Sequence, residues 1–144
     1  MTSTKKLEGY LINLGITFEE LNENTWLIND SDKGLEQVVV DVEEPLAIVR
    51  VVVMPTPTKN REEFFEILLK MNATDLIHGA YALSGDNVIL IDTLQYETLN
   101  LEEFQASLDA IGLALAQHYP ILSKYRDKGA SGQKSASDGS RKGS

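Results

Sequence analysis

Val38-Val39-Val40-Asp41-Val42-Glu43-Glu44-Pro45-Leu46-Ala47-Ile48-Val49-Arg50-Val51-Val52-Val53-Met54 is the stretch that decides the fold of this chain. β-branched residues dominate it, and such side chains suit a pleated, half-buried surface. Glu43-Glu44-Pro45 divides it into two runs, residues 38–42 and 46–54, which read as strand, turn and strand. In the second run side chains alternate between faces. Val49, Val51 and Val53 share one face, and Ile48, Arg50, Val52 and Met54 share the other. A strand that is apolar on both faces sits centrally in a sheet or has one face covered by a partner.

Reading toward the N-terminus, residues 16–21 and 25–29 flank the hairpin turn Asn22-Glu23-Asn24, with Trp26 and Ile28 on one face. Ser31-Asp32-Lys33-Gly34 turns the chain into the valine run. Leu7, Tyr10, Leu11 and Leu14 follow i, i+3, i+4, i+7 spacing and predict a short amphipathic helix. Ser3 or Thr4 caps its start and Gly15 stops it.

Reading toward the C-terminus, Pro55-Thr56-Pro57-Thr58 ends the sheet, because proline cannot donate to a ladder. Asn60 and Glu63 have the spacing of a capping box. The helix they open carries Phe64, Leu68 and Met71 on one stripe, widened by Phe65 and Leu69, with Ile67 on a further flank. Such a helix is buried on more than one side. Residues 77–84 and 88–95 form a hairpin across Gly85-Asp86-Asn87. In the second of these strands Asp92 shares a face with Leu90 and Leu94, alternating with Ile89, Ile91 and Thr93, and that face is read as the more exposed. Asn100 and Glu103 cap a last helix with the stripe Leu101, Phe104, Leu108, Ile111 and Leu115, which Pro120 ends near His118-Tyr119.

The expected fold class is therefore α+β, an antiparallel sheet with helices packed on it in the order α-β-β-β-β-α-β-β-α. Strands are expected near 16–21, 25–29, 36–42, 46–54, 77–84 and 88–95, and helices near 4–14, 60–72 and 101–118. Residues 1–125 form one domain. Residues 126–144 are a Gly/Ser-rich basic tail without apolar residues to repay its ordering, and disorder is expected there.

The 144 residues carry a net charge of −9, unevenly spread. Residues 126–144 hold five basic and two acidic side chains, whereas residues 1–125 hold 8 basic and 20 acidic. That acidic field disfavours nucleic acid and anionic membranes and steers basic partners toward the domain. The absence of cysteine excludes disulfides and thiolate metal sites. No apolar run reaches the roughly 20 residues that span a bilayer, and no secretory segment opens the chain, so a cytoplasmic location is expected.

Motifs of catalysis do not emerge. There is no Gly-rich phosphate loop and no nucleophile elbow. His78 and His118 lack the spacing of paired metal ligands, and His118 suits the negative end of its helix. The adjacent pairs Glu19-Glu20 and Glu43-Glu44 point to opposite faces of strands and form no acid/base dyad. Glu62-Glu63 and Glu102-Glu103 open helices, where Glu63 and Glu103 have capping roles. No catalytic residue, metal or cofactor is expected.

Between Glu66 and Phe104 the chain resembles the YbjN-like family. The likeness rests on Leu68-Leu69 and Asn72, His78-Gly79-Ala80-Tyr81-Ala82-Leu83, the Gly85-Asp86 turn, Leu90, Leu99 and Leu101-Glu102-Glu103-Phe104. That family in turn resembles the class I type III secretion chaperones, including the Tir-type group. The resemblance implies a small acidic homodimer without enzymatic activity that holds a partner chain along apolar grooves and exposed strand edges. The linker of residues 55–60 and the basic tail depart from that pattern.

The leading expectation is thus a non-catalytic protein-binding domain, chaperone-like or regulatory, that holds an unknown protein client. Phe64, Phe65 and Leu68 are the expected dimer or partner surface. The alternative is a small-molecule-binding regulatory domain with a pocket between the sheet and the last helix. Removing residues 126–144 is expected to leave the melting temperature almost unchanged. A drop of several degrees in a thermal melt would show that the tail docks on the acidic domain.

Overall fold

The structure, a computed structural model, describes residues 5–127. The element order is α1 (Lys5–Asn13), β1 (Phe18–Asn22), β2 (Thr25–Asp30), β3 (Leu35–Glu43), β4 (Leu46–Pro55), α2 (Arg61–Thr74), β5 (Ala80–Ser84), β6 (Asn87–Gln95) and α3 (Leu101–Leu122), with 3-10 turns after β2 and α3. The six strands form one sheet in the order β1-β2-β3-β4-β6-β5, and every neighbouring pair is antiparallel. This is the α+β architecture and element order expected from the sequence. The expected caps Ser3 and Thr4, and the tail beyond Asp127, lie outside the described residues.

One face of the sheet makes the core. Trp26 and Ile28, Val38, Val40 and Val42, Ala47, Val49 and Val51, and Val88 and Leu90 are all buried on it. Leu7 and Leu11 of α1 and Phe104, Leu108 and Ile111 of α3 close it from above. α1 is fixed to the β6–α3 connection by Lys6 Nζ donating to the carbonyl of Tyr96 at 2.6 Å and Tyr10 Oη donating to that of Leu99 at 3.0 Å. α3 meets the turn before β3 at Gly112, where a Cβ would stand 2.9 Å from the Lys33 carbonyl oxygen. Only glycine permits that approach.

Besides a register shift between Glu20 and Asn22 in β1, two irregularities shape the centre of the sheet. In β4 the register against β6 shifts between Val52 and Met54, so Met54, not Val53, is buried after Val51. A bulge inserts one residue and moves the following side chain to the other face, which simple alternation cannot anticipate. In β3, Gln37 has φ 59° and is skipped in the pairing with β2, its N–H being held by Asn29 Oδ1 at 2.8 Å. The β3–β4 ladder runs from Glu43↔Leu46 to Val39↔Arg50 and stops there, next to this bulge. Residues 35–38 then pair only with β2 and residues 51–55 only with β6.

Three local expectations are corrected. Asn60 does not cap α2: it adopts a left-handed conformation, φ 57°, without a side-chain cap bond. Its Glu63 partner instead accepts from the Tyr125 hydroxyl. α3 continues past His118-Tyr119 and carries Pro120 inside it, ending at Leu122, whose side chain is buried. Burial of Leu122 holds the last turn in place despite the lost backbone donor. Asp92 lies on the helix-covered face, beside fully buried Leu90, because its carboxylate accepts from Ser107 Oγ of α3 at 2.7 Å.

The capping box of α3 is complete: Glu103 N donates to Asn100 Oδ1 at 2.8 Å and Asn100 N to Glu103 Oε1 at 3.1 Å. Asn100→Ala is therefore expected to lower the unfolding free energy by about 1 kcal/mol in urea titrations. Asn60→Gly, at a left-handed residue with no cap bond to lose, is expected to be neutral or slightly stabilising. Equal losses at the two positions would contradict this distinction.

Candidate functional site

The outer face of the sheet has no helix over it among the described residues. Pairing aligns Glu19, Leu27, Val39, Arg50, Ile91 and Ala80 in one row across all six strands. On one side of this row lie Val52, Ile89 and Ala82, and on the other Asp41, Ile48 and Thr93. Leu27, Val39, Ile48, Ile89 and Ile91 are only half-buried, and Val52 is 58% exposed. An apolar field with few charges on an open sheet face is a candidate interaction surface. Arg50 and Asp41 punctuate it, the latter held by Thr25 Oγ1 at 2.8 Å. Hydrogen bonding and charge repulsion from Asp41 raise the Glu43 carboxyl above its usual range.

Among the described residues recesses lie along α3, two of them of several hundred Å³. The larger, of about 510 Å³, lies where β6 leads into the helix and is lined by His78, Thr93, Gln95, Thr98, Glu102 and the apolar Leu99, among others. It lies between the sheet and the last helix, where sequence reasoning placed a pocket. His78 was read as opening β5; the strand instead begins at Ala80, and His78 is half-buried in this recess. The smaller recess, of about 330 Å³, lies where β3 and β4 part and has Gly112, Leu115, Ala116 and Tyr119 of α3 among its walls.

The residues expected to form a dimer or partner surface occupy different environments. Phe64 is fully buried and Leu68 nearly so, within the core of their own chain. The Phe64 ring lies 5.3 Å from that of Tyr125 and 5.9 Å from that of Phe65. Phe65 is half-buried with the Arg61 guanidinium 5.2 Å over its ring. The helix presents Leu69 to solvent, 67% exposed, and Leu83 of β5 and Ile77 before that strand are also exposed. The i, i+4, i+7 stripe of Phe64, Leu68 and Met71 is the mark of a core-facing side, and the flanking Phe65 and Leu69 are the side chains of this group left toward solvent.

Beside this helix β5 is the edge of the sheet, and its backbone is partly closed. Tyr81 N donates to Asn72 Oδ1 at 2.7 Å, and Asn72 Nδ2 donates to the Tyr81 carbonyl at 3.2 Å. The Tyr81 hydroxyl lies 2.7 Å from His118 Nδ1, and His118 Nε2 lies 3.2 Å from Asp75 Oδ2. His118 is buried, so both ring nitrogens are used to join α2, β5 and α3. This network was not legible in the sequence, since its members lie far apart along the chain. Among the described residues no group of three or more His, Asp or Glu side chains is arranged to hold a metal. No helix among them is long and apolar enough to cross a membrane.

The sequence model of a family described as CesT_Tir_1 matches residues 1–128. No curated relative matches the sequence. Several solved structures share the fold at low identity. YbjN from E. coli has a TM-score of 0.64 and 13% identity, covering 83% of this chain and 93% of its own. A chain of the heterodimeric complex ExoU–SpcU, from the type III secretion system of Pseudomonas aeruginosa, has a TM-score of 0.59 and 12% identity, covering 82% and 98%. The Yersinia pestis type III secretion chaperone SycH, in complex with a fragment of YscM2, has a TM-score of 0.58 and 16% identity, covering 81% and 98%.

The Tyr81 hydroxyl provides a test of the buried network. Burial pushes this phenol above its ordinary value of 10.0, and the charge of Asp75 acts in the same direction. The native state keeps a proton that the unfolded chain releases above pH 10, so this contribution to stability is intact below that pH and falls as pH rises beyond it. Tyr81→Phe is expected to cost about 1 kcal/mol at neutral pH, through the lost bond to His118. It should also flatten the alkaline limb of stability against pH, and an unchanged alkaline slope in urea titrations would refute the assignment.

Proposed function

This chain belongs to the CesT_Tir_1 family, and from that premise we propose that it is a non-catalytic, chaperone-like binding protein, homodimeric and cytoplasmic, that holds a partner polypeptide. The observation that carries the reading is the uncovered outer face of the sheet. Its row from Leu27 through Val39, Arg50 and Ile91 offers apolar contacts over several strands. The neighbours in complexes with protein partners support the same reading, including a chain of the HopA1–SchA chaperone–effector complex. The acidic domain adds a field that favours segments bearing Lys or Arg.

For the homodimer we propose a contact centred on the exposed flank of α2. Phe65 and Leu69 supply its surface, while Phe64 and Leu68 support it from within. A small-molecule regulatory role is the second reading, and the recess of about 510 Å³ with its mixed polar and apolar lining favours it.

Light scattering of the full chain at tens of micromolar is expected to give the mass of two chains, and Leu69→Asp the mass of one. An array of extended peptides is expected to yield binders rich in alternating apolar residues and lysine. Ile91→Asp, on the outer face, should weaken them about tenfold, a loss near 1.4 kcal/mol. Raised salt should slow their association. Absence of any peptide binding, together with ligand-induced thermal stabilisation by small metabolites, would favour the second reading.

A further inference from the structure

The place where the sheet divides carries a more specific assignment, which rests on the protein-binding reading above. β3 and β4 pair only from Glu43↔Leu46 to Val39↔Arg50, although β3 begins at Leu35 and β4 ends at Pro55. The Gln37 bulge lies just beyond the last pair and turns the first half of β3 away with β2. Residues 51–55 are therefore an interior strand with a ladder on one side only, toward β6. The space that opens is the recess of about 330 Å³, lined by Gly34, Glu36, Val51, Val52, Leu115 and Tyr119, among others. Gly112 and Ala116 keep its α3 wall low. Val52 is 58% and Tyr119 48% exposed.

We propose that this cleft receives an extended polypeptide segment of a partner, which pairs with the free edge of β4 and lays alternate apolar side chains on α3. Three observations select that occupant. A strand edge without a ladder partner calls for backbone N–H and C=O groups, which a polypeptide supplies and an apolar small molecule does not. The walls are mainly Val, Leu, Ala and Tyr, which match valine- or isoleucine-sized side chains at every second position. The one charged wall residue, Glu36, belongs to a domain whose residues 1–125 carry 20 acidic against 8 basic side chains, so lysine or arginine flanks the inserted segment.

The chain's own C-terminal segment is the rival occupant. The described residues end near the mouth of the cleft, with the Arg126 guanidinium 5.8 Å over the Tyr119 ring and Asp127 Oδ1 accepting from Thr58 N at 2.9 Å. Residues 128–144 hold four basic side chains, but their only apolar side chains are those of Ala130 and Ala136, so they lack groups to fill the walls.

The test uses the full chain and a short fluorescein-labelled peptide with valine at alternate positions and lysine and threonine between. Its binding is expected to protect the amides of residues 51–53 from hydrogen exchange. Ala116→Leu, which fills the cleft from an exposed position, should weaken binding about tenfold or more. Methylating one alternating set of the peptide's backbone nitrogens should abolish binding, and methylating the other set should not. Ile12→Lys, at an exposed position on α1, should leave it unchanged. Peptide binding with protection only at β5 or across the outer face, and indifference to Ala116→Leu, would overturn the cleft while leaving the protein-binding reading in place. Failure of this peptide to bind overturns the cleft assignment, and the array then decides the broader reading. Loss of protection at residues 51–53 in the free chain on removal of residues 128–144 would make the tail the occupant and overturn the proposal.

Discussion

Burial of one face of β4 is the constraint on which the other elements depend. Ala47, Val49, Val51 and Met54 need a cover, and α3 supplies it only by coming close enough for Gly112 to touch the Lys33–Gly34 turn. That approach sets the height of the helix over the whole sheet. α1 then fills the remaining end with Leu7 and Leu11, tied down by Lys6 and Tyr10. α2 is left to pack beside the β5 edge, where Asn72 stands in for a strand.

With the helices on one side, the opposite face keeps an apolar surface of its own. The β-branched content of β4 serves both faces: Val49 and Val51 belong to the core, Ile48 and Val52 to the surface. A strand like this in a sheet covered on one side represents exposed apolar area maintained at a cost in solubility, which the acidic charge offsets. Family membership and the outer face therefore lead to the same functional class by different routes, one through sequence patterns and one through uncovered side chains.

Alternation and turn residues carried most of the fold. The runs around Asn22-Glu23-Asn24, Glu43-Glu44-Pro45 and Gly85-Asp86-Asn87 became β1–β2, β3–β4 and β5–β6 with boundaries that differ by at most three residues. What failed was local competition that spacing does not encode. Asn60 and Glu63 have the same offset as Asn100 and Glu103, yet Tyr125 takes Glu63 in one case and the box closes in the other. The bulges at Gln37 and Val53 are invisible to a period of two, and the second moves Met54 onto the buried face. The surface was harder still. Phe64 and Leu68 carry the hydrophobicity that draws attention, but their own core has already claimed it.

The strand order also has a temporal side. β1 through β4 form a meander in which each strand pairs with the one just made, so these contacts close short loops. β6 reaches β4 only after α2 and β5 have been laid down, and Thr58 meets Asp127 at a separation of 69 residues. During synthesis the meander emerges first, and β4 waits with its entire outer edge and both apolar faces open until the second half arrives. For that interval the nascent chain exposes the apolar face that α3 covers in the finished fold, and the sheet is completed only when β6 returns to the strand on which it is centred.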